Sequence, residues 1–126
     1  ALSAATISTA LFLDKPEMRP NSANKFFDSM AAGKPIMINY GGWMYDLIQS
    51  HDCGLAMWGM SFSDIAKELD DKVHDSEWLK IASKASLLLA KECFDRDILA
   101  SQLLEVIECA AQGHPDKSEI IAPGIY

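Results

Sequence analysis

The chain of 126 residues lacks several features that would place it in a class directly. No apolar run approaches the ~20 residues that a helix needs to cross a membrane. The first ten residues are small and apolar without a basic start, so no signal peptide is visible. Three cysteines, Cys53, Cys93 and Cys109, cannot all pair within one chain, and their spacing forms no disulfide framework. We therefore expect free thiols and favour the cytoplasm, and we leave open whether Cys53 is bridged.

The sequence also lacks the motifs that identify several enzyme classes. It has neither the P-loop glycine pattern nor the dinucleotide-binding one, and no HExxH, CxxC or GxSxG segment. A zinc site built from His51, Cys53, Cys93 and Cys109 would lack the paired ligand spacing of structural zinc centres. We therefore predict no metal, no cofactor and no catalytic residue.

The most reactive-looking arrangement is the triplet His51-Asp52-Cys53. A nearby imidazolium can activate a thiol as a nucleophile. Adjacent side chains often point in different directions, however, and a free cysteine commonly behaves as a small buried hydrophobe. A cysteine-dependent enzyme is therefore the last of three functional hypotheses.

Basic residues are scarce in the second half of the chain. Residues 61–126 hold seven basic and thirteen acidic side chains, whereas residues 1–60 hold four and five, and the whole chain carries a net charge of −7. An acidic surface repels phosphate backbones and anionic membranes, so we expect no nucleic-acid partner. A basic protein is the better-matched partner.

The clearest pattern that is present predicts an antiparallel helical hairpin, 75–94 and 96–112. Asp75 and Asp95 are suitable N-caps, and Gly113 followed by Pro115 is a helix stop. Both segments carry apolar residues at spacings of three and four, which predicts two helical faces that close against each other. These residues are Trp78, Ile81, Ala82, Ala85, Leu88 and Leu89 in the first segment, and Ile98, Leu99, Leu103, Val106, Ile107 and Ala110 in the second.

Further helices are predicted on either side of the glycine-rich centre. One is capped by Asn21 or Ser22, runs through Ala32 and ends at Gly33, and another begins at the N-cap Ser61 and has Val73 on its inner face. Between Pro35 and Ser50 we favour a helix weakened by Gly41-Gly42, with a strand at 36–40 followed by a helix as the alternative. Residues 4–13 fit a helix or a strand equally well.

Together these segments predict an all-α fold, a single compact domain of five or six helices covering residues 1–126. The hairpin is its foundation. Residues 15–21, with Pro16 and Pro20, are predicted to be a linker, and 114–126 an irregular tail.

The candidate binding residues come from an uneven distribution of methionine and aromatic residues. All six methionines lie in the first 60 residues, together with several aromatic side chains. Such a mixture can line an apolar pocket or a partner surface, although it also fills ordinary cores. The candidate residues are Tyr40, Trp43, Met44, Asp46 and Trp58.

The leading functional hypothesis is a small, acidic, non-enzymatic protein-binding module of the inhibitor, immunity or adaptor type. It rests on the missing catalytic motifs, the small size and the acidic second half. The alternative is a carrier or sensor of an apolar small molecule held by the methionine- and tryptophan-rich first half. A homodimer is left open.

Overall fold

A computed structural model of the chain describes residues 2–13 and 15–114. This part of the chain forms a mixed α/β structure, so the prediction of an all-α fold, a bundle of five or six helices, is wrong. Three short strands alternate with helices in the first half, and three helices follow one another in the second. The strands are β1 (Ser8–Ala10), β2 (Ile36–Ile38) and β3 (Gly54–Ala56), and the helices are α1 (Asn24–Ala31), α2 (Trp43–His51), α3 (Phe62–His74), α4 (Ser76–Cys93) and α5 (Arg96–Ala111).

The three strands form one parallel sheet in the order β1-β2-β3. Ser8 pairs with Ile36, and Ile36 pairs with Gly54 on its other side. Parallel neighbours need a crossover connection, which α1 supplies between β1 and β2 and α2 supplies between β2 and β3. The first half of the chain is therefore a βαβαβ unit.

Alternate residues of the strands pack into two separate cores, as the period of two in a strand requires. Ile36 and Ile38 lie in the first core with α1 and α2, whereas Met37 lies in the second. The buried members of the first core are Ala10, Ala23, Phe26, Met30, Ile36, Ile38, Tyr40, Met44, Leu47, Ile48, Cys53 and Leu89. Those of the second are Met37, Leu55, Met57, Trp78 and Ala82.

The favoured helix between Pro35 and Ser50 is wrong, and the chain follows the alternative of a strand and then a helix. Ile36, Met37 and Ile38 are all buried, because both faces of the sheet are covered. A parallel strand in this position is a continuous apolar run without alternation. The chain then turns at Gly42, whose φ of 109° favours glycine. A Cβ there would also clash with the main chain of Arg19. Helix α2 begins directly afterwards.

The structure also settles two other segments. Residues 4–13, left open between helix and strand, contain β1 at Ser8–Ala10. Residues 54–60 contain β3 at Gly54–Ala56. Gly54 is required because a Cβ at this position would collide with the main chain of Ile36 on the neighbouring strand.

Helix α4 contributes side chains to both cores. Trp78 and Ala82 belong to the second core and Leu89 to the first. Between them, the Ser86 hydroxyl donates a hydrogen bond of 2.8 Å to the carbonyl of Cys53, just before β3. The predicted cap is confirmed, since the Asp75 carboxylate accepts from the amide of Trp78 at 3.0 Å.

The predicted closure of the hairpin is wrong, although both of its helices exist. Leu88 of α4 is 51% exposed and Leu103 of α5 is 61% exposed, so neither side chain is covered by the other helix. The inner face of α4 is already used by the sheet and by α1, which leaves no buried surface for α5 to share. Helix α5 contains no buried residue.

Of the two predicted irregular segments, 15–21 lies within the described residues and 114–126 lies almost wholly outside them. Pro16–Met18, within the predicted linker, forms one turn of 3-10 helix. The predicted tail begins at His114, and its residues 115–126 lie outside the described residues. None of the helices in residues 2–13 and 15–114 is long and apolar enough to cross a membrane.

Candidate functional site

Helix α5 carries five of the thirteen large apolar side chains that are exposed in the described part of the chain. We call the surface that these five side chains form the α5 face, and each of them is 40–61% exposed. Contiguous apolar surface of this kind marks binding sites more often than scattered exposed residues do. The α5 face consists of Ile98, Leu99, Leu103, Leu104 and Ile107.

Helix α5 forms for local reasons that do not involve packing. The Asp95 carboxylate accepts hydrogen bonds from the amides of Asp97 at 2.9 Å and Ile98 at 3.3 Å, as predicted for an N-cap. At the other end Gly113 has a φ of 78°, the left-handed exit that glycine permits. Capping therefore defines α5 at both ends without tertiary contacts.

The base of α5 is anchored by an aromatic cluster. Phe94, in the connection between α4 and α5, lies with its ring centroid 5.1 Å from that of Phe27 and 6.3 Å from that of Trp43. An open groove of about 510 Å³ lies beside this cluster, between α1, the end of α4 and the first residues of α5. The helix is thus fixed at its start and exposed along its length.

The charges on α5 are mostly negative. Its carboxylates are Asp97, Glu105 and Glu108, and its one cation is Arg96. Asp97 and Glu105 line a second open groove of about 410 Å³ that runs along the helix beside Ile98. An apolar strip with acidic flanks is complementary to an apolar groove with a basic rim.

Two of the sequence-predicted binding residues lie in the first core. Tyr40 and Met44 are each 1% exposed, and the Tyr40 hydroxyl donates to the Met44 sulfur at 3.2 Å. Burial raises the pKa of the Tyr40 phenol, so it stays protonated. These two side chains, four residues apart in the sequence, contact each other but are both too deeply buried to reach a ligand.

The other three predicted residues are nearer the surface but do not form one site. Trp43 is half-buried in the aromatic cluster, and its indole N–H donates to the carbonyl of Asn21 at 3.2 Å. Asp46 is exposed in the first turn of α2. Trp58 is 37% exposed and contacts Tyr45, at a centroid distance of 5.8 Å.

Trp58 lies just beyond the carboxyl end of β3, beside the loop that follows β2. A Cβ at Gly41 would come within 2.8 Å of the Trp58 ring, so the ring lies directly on this loop. The Arg19 guanidinium stands 5.0 Å from the centroid of the same ring, as in a cation–π contact. In open parallel α/β sheets, ligands bind outside the carboxyl ends of the strands.

Cys53 is unsuited to nucleophilic chemistry. The side chain is fully buried, and this burial raises the pKa of the thiol to about 11, with a smaller contribution from the charge of Asp52. At neutral pH the thiol is therefore protonated and weakly nucleophilic. His51 is held by its neighbours, since its Nδ1 lies 2.9 Å from the Ser50 hydroxyl and 3.1 Å from the Leu47 carbonyl.

The methionines of the first half act mainly as core residues. Met30, Met37, Met44 and Met57 are buried, and only Met18 and Met60 reach the surface. Flexible methionine side chains fill irregular gaps between a sheet and its helices. Their clustering in the sequence reflects the position of the two cores in the βαβαβ unit.

Sequence reasoning identified the α5 residues but assigned them to a core. The available signal was the width of the apolar face, because Leu104 lies outside the predicted stripe and widens it beyond what one partner helix covers.

Comparisons of the chain with protein-family models, with curated proteins and with solved structures found no match.

Proposed function

We propose that this protein is a non-enzymatic interaction module that binds another protein through the α5 face. The observation that carries the proposal is a sixteen-residue helix with no buried residue and five large apolar side chains in solvent. Keeping such surface exposed is unfavourable by roughly 25 cal/mol per Å². A partner that covers the α5 face removes this cost.

The binding mode that suits the α5 face is a helix lying in a groove of the partner. Such helices present apolar anchors at spacings of three, four and seven residues. Leu99, Leu103 and Ile107 of the α5 face are four residues apart, and Leu104 and Ile107 are three residues apart. Capping by Asp95 keeps the helix formed before binding, which reduces the entropy lost on association.

The partner is proposed to be a basic protein. The carboxylates of α5 flank the apolar strip, and the chain as a whole carries a net charge of −7. Complementary charge raises the association rate and orients the partner, and its effect decreases as the salt concentration rises. Three free thiols also suit a reducing compartment, so we propose the cytoplasm.

A photo-crosslinking amino acid placed at position 103 of the full chain tests this proposal. The matched control carries the same group at Glu77, an exposed residue in the first turn of α4. We expect position 103, and not position 77, to form a covalent adduct with one discrete protein in native lysate. The adduct partner is then identified by mass and produced in pure form.

Binding of the purified partner gives the decisive result. We expect Leu103→Asp to weaken the affinity by about tenfold or more, because it places a charge in an apolar contact. Circular dichroism should show an unchanged fold, since Leu103 is 61% exposed and belongs to neither core. Equal crosslinking at positions 103 and 77, or unchanged affinity after Leu103→Asp, would overturn the proposal.

A second candidate function rests on Trp58. Its partly exposed ring, at the carboxyl end of a parallel sheet, offers a stacking surface for a small molecule with a planar apolar ring. We would titrate the chain with the dye anilinonaphthalene sulfonate and follow tryptophan fluorescence. Saturable quenching that disappears in Trp58→Leu and persists in Phe62→Leu would support this candidate, whereas quenching unaffected by Trp58→Leu would exclude it.

A further inference from the structure

The open groove beside the aromatic cluster has walls from three helices. One wall is the second half of α1, with Phe27, Asp28 and Ala31, and the other is the end of α4 together with the first residues of α5. The groove volume of about 510 Å³ lies within the range of roughly 300–1,000 Å³ that small-molecule sites occupy. None of the lining residues belongs to the α5 face, so an occupant of this groove is distinct from the partner proposed for that face.

The floor of the groove is aromatic and is anchored in the first core. The ring centroids of Phe27 and Phe94 lie 5.1 Å apart, with the ring planes at 66°. Phe27 also stacks on Trp43 at a centroid distance of 6.1 Å. Phe27, Ala90 and Phe94 each pack against buried residues of the first core. Because these side chains are already held in place, they offer a preformed surface on which another aromatic ring can pack.

Charges of both signs line the groove without pairing. Lys91 and Arg96 place cations on the wall formed by α4 and α5, and Asp28 places a carboxylate on the wall formed by α1. Asp97 adds a second carboxylate beside Arg96, whereas the Asp95 carboxylate is used by the N-cap. Within residues 2–13 and 15–114, none of the four remaining groups forms an ion pair within 4.0 Å. The groove therefore holds cations and carboxylates apart around an aromatic floor.

We propose that this groove binds a free α-amino acid with an aromatic side chain. The ring of the ligand packs against Phe27 and Phe94. Its carboxylate lies near Lys91 and Arg96, and its ammonium group lies near Asp28 on the opposite wall. Charge-assisted hydrogen bonds are stronger than neutral ones, and opposite charges on the two walls orient a ligand that carries both.

The charge pattern favours a free amino acid over a polypeptide segment. An aromatic residue inside a polypeptide, whether of this chain or of another, has an amide group on each side of its Cα. Such a residue can cover the aromatic floor, but its main chain brings no charge to Asp28, Lys91 or Arg96. The free amino acid carries an ammonium group and a carboxylate on one carbon, so it supplies a charged partner to each wall.

Nuclear magnetic resonance titration of the full chain with phenylalanine tests the proposal. Phenylalanine amide lacks the carboxylate, N-acetylphenylalanine lacks the ammonium group, and N-acetylphenylalanine amide lacks both and represents a polypeptide. We expect phenylalanine to shift the amide signals of Ala90 and Phe94 saturably, and the signal of Ala56 on β3 should not move. Each singly blocked probe should bind about tenfold or more weakly, because one charged wall loses its partner.

Charge variants assign each wall to one end of the ligand. Replacing Lys91 and Arg96 together by glutamine should remove the preference for phenylalanine over phenylalanine amide. Asp28→Asn should instead remove the preference for phenylalanine over N-acetylphenylalanine. The matched control replaces Lys80 and Lys84, two exposed residues of α4 outside the groove, by glutamine and should keep both preferences. Variants in the groove that weaken all four probes equally would contradict these assignments.

A side chain that fills the groove gives a test that does not depend on charge. Ala31 is exposed and lines the groove, so Ala31→Trp should abolish binding of phenylalanine. Ala32 is also exposed but does not line the groove, and Ala32→Trp should leave binding unchanged. The α5 variant Leu103→Asp should bind phenylalanine as the natural chain does, because the groove is separate from the α5 face.

Three results would overturn the proposal. The first is the absence of a saturable shift at Ala90 and Phe94 at millimolar phenylalanine. The second is equal binding of phenylalanine and N-acetylphenylalanine amide, which would assign the groove to a polypeptide segment. The third is unchanged binding in Ala31→Trp, which would place phenylalanine elsewhere on the chain.

Discussion

Helices α4 and α5 have similar local sequences but differ in burial. Each begins at an aspartate N-cap whose carboxylate accepts from two amides, and each carries a leucine-rich strip. Four residues of α4 are buried, and none of α5 is. The two helices differ because α4 contributes buried side chains to both cores, whereas α5 contributes none.

The comparison separates the formation of a helix from its packing. Capping and periodicity are properties of about four neighbouring residues, and both helices satisfy them. Burial depends on which apolar surfaces the rest of the fold leaves uncovered. In this fold, α4 packs against the apolar surface that the βαβαβ unit leaves uncovered. Mutations in the packed part of the molecule should therefore reduce its stability far more than mutations in α5.

Replacing Gly54 with alanine should disrupt the packed part most severely. The added Cβ would meet the main chain of Ile36, which cannot move without separating β2 from β3. We expect the free energy of unfolding to fall by about 4 kcal/mol or more, or the protein not to fold. The control is Gly113→Ala at the end of α5, where a Cβ meets nothing within 4 Å. The free energy of unfolding of this control, measured by urea denaturation, should fall by about 1–2 kcal/mol at most, because only the positive φ disfavours alanine there.

Truncating one leucine in each helix measures the difference directly. Leu89→Ala removes a side chain that is 5% exposed, whereas Leu103→Ala removes one that is 61% exposed. We expect Leu89→Ala to lower the free energy of unfolding by about 2–5 kcal/mol, because it leaves a cavity. Leu103→Ala should change it by no more than about 0.5 kcal/mol. Losses of similar size in chemical denaturation would contradict the distinction between the helices.

Stability should decrease at alkaline pH because of Cys53, which lies under α4. Burial raises the pKa of this thiol from 9.0 to about 11. The unfolded chain therefore loses the proton first, so the stabilisation is complete below pH 9 and is lost as the pH rises to about 11. The full effect is on the order of 2–3 kcal/mol. Comparing Cys53→Ala with the natural chain at pH 8 and pH 11 isolates it, since other groups titrate equally in both. Parallel pH profiles would contradict the prediction.

Removing the two N-caps should give the smallest effects on stability, and the effects should again differ between α4 and α5. Asp75→Ala should lower the global free energy of unfolding by about 1 kcal/mol, since α4 is part of the cooperative fold. Asp95→Ala should leave the global value almost unchanged and lower the helical circular dichroism signal through fraying of α5. A full loss of about 1 kcal/mol in both variants would indicate that α5 unfolds together with the sheet.

The sequence was sufficient for features set by near neighbours. The caps at Ser61, Asp75 and Asp95 were predicted from residue type and are present. The glycine stops at Gly33 and Gly113 also have positive φ, as expected of helix ends. These features depend on a few consecutive residues and therefore do not require knowledge of the fold.

The sheet could not be predicted from periodicity, for a physical reason. Its strands have three residues each, which is too short to distinguish a period of two from one of 3.6. Ile36, Met37 and Ile38 are buried on both faces of the sheet and therefore read as one apolar run. The Gly41-Gly42 pair was the available signal for a break, and its cost in a helix was underestimated.

The candidate site could be predicted only in part. The apolar residues of α5 were recognised, but their exposure depends on α4 being occupied elsewhere, which is a property of the whole fold. Tyr40 and Met44 were proposed as binding residues from composition, and composition does not distinguish a core from a pocket. Trp58 is the proposed aromatic residue that reaches the surface most clearly.

Amide hydrogen exchange of the isolated chain tests most directly whether α5 stands outside the cooperative core. We predict that the amides of Ala82 and Leu89 in α4 exchange only through global unfolding. The amides of Leu103 and Ile107 in α5 should exchange with opening free energies lower by several kcal/mol. Equal opening free energies in the two helices would contradict the account, because α5 would then belong to the folded core.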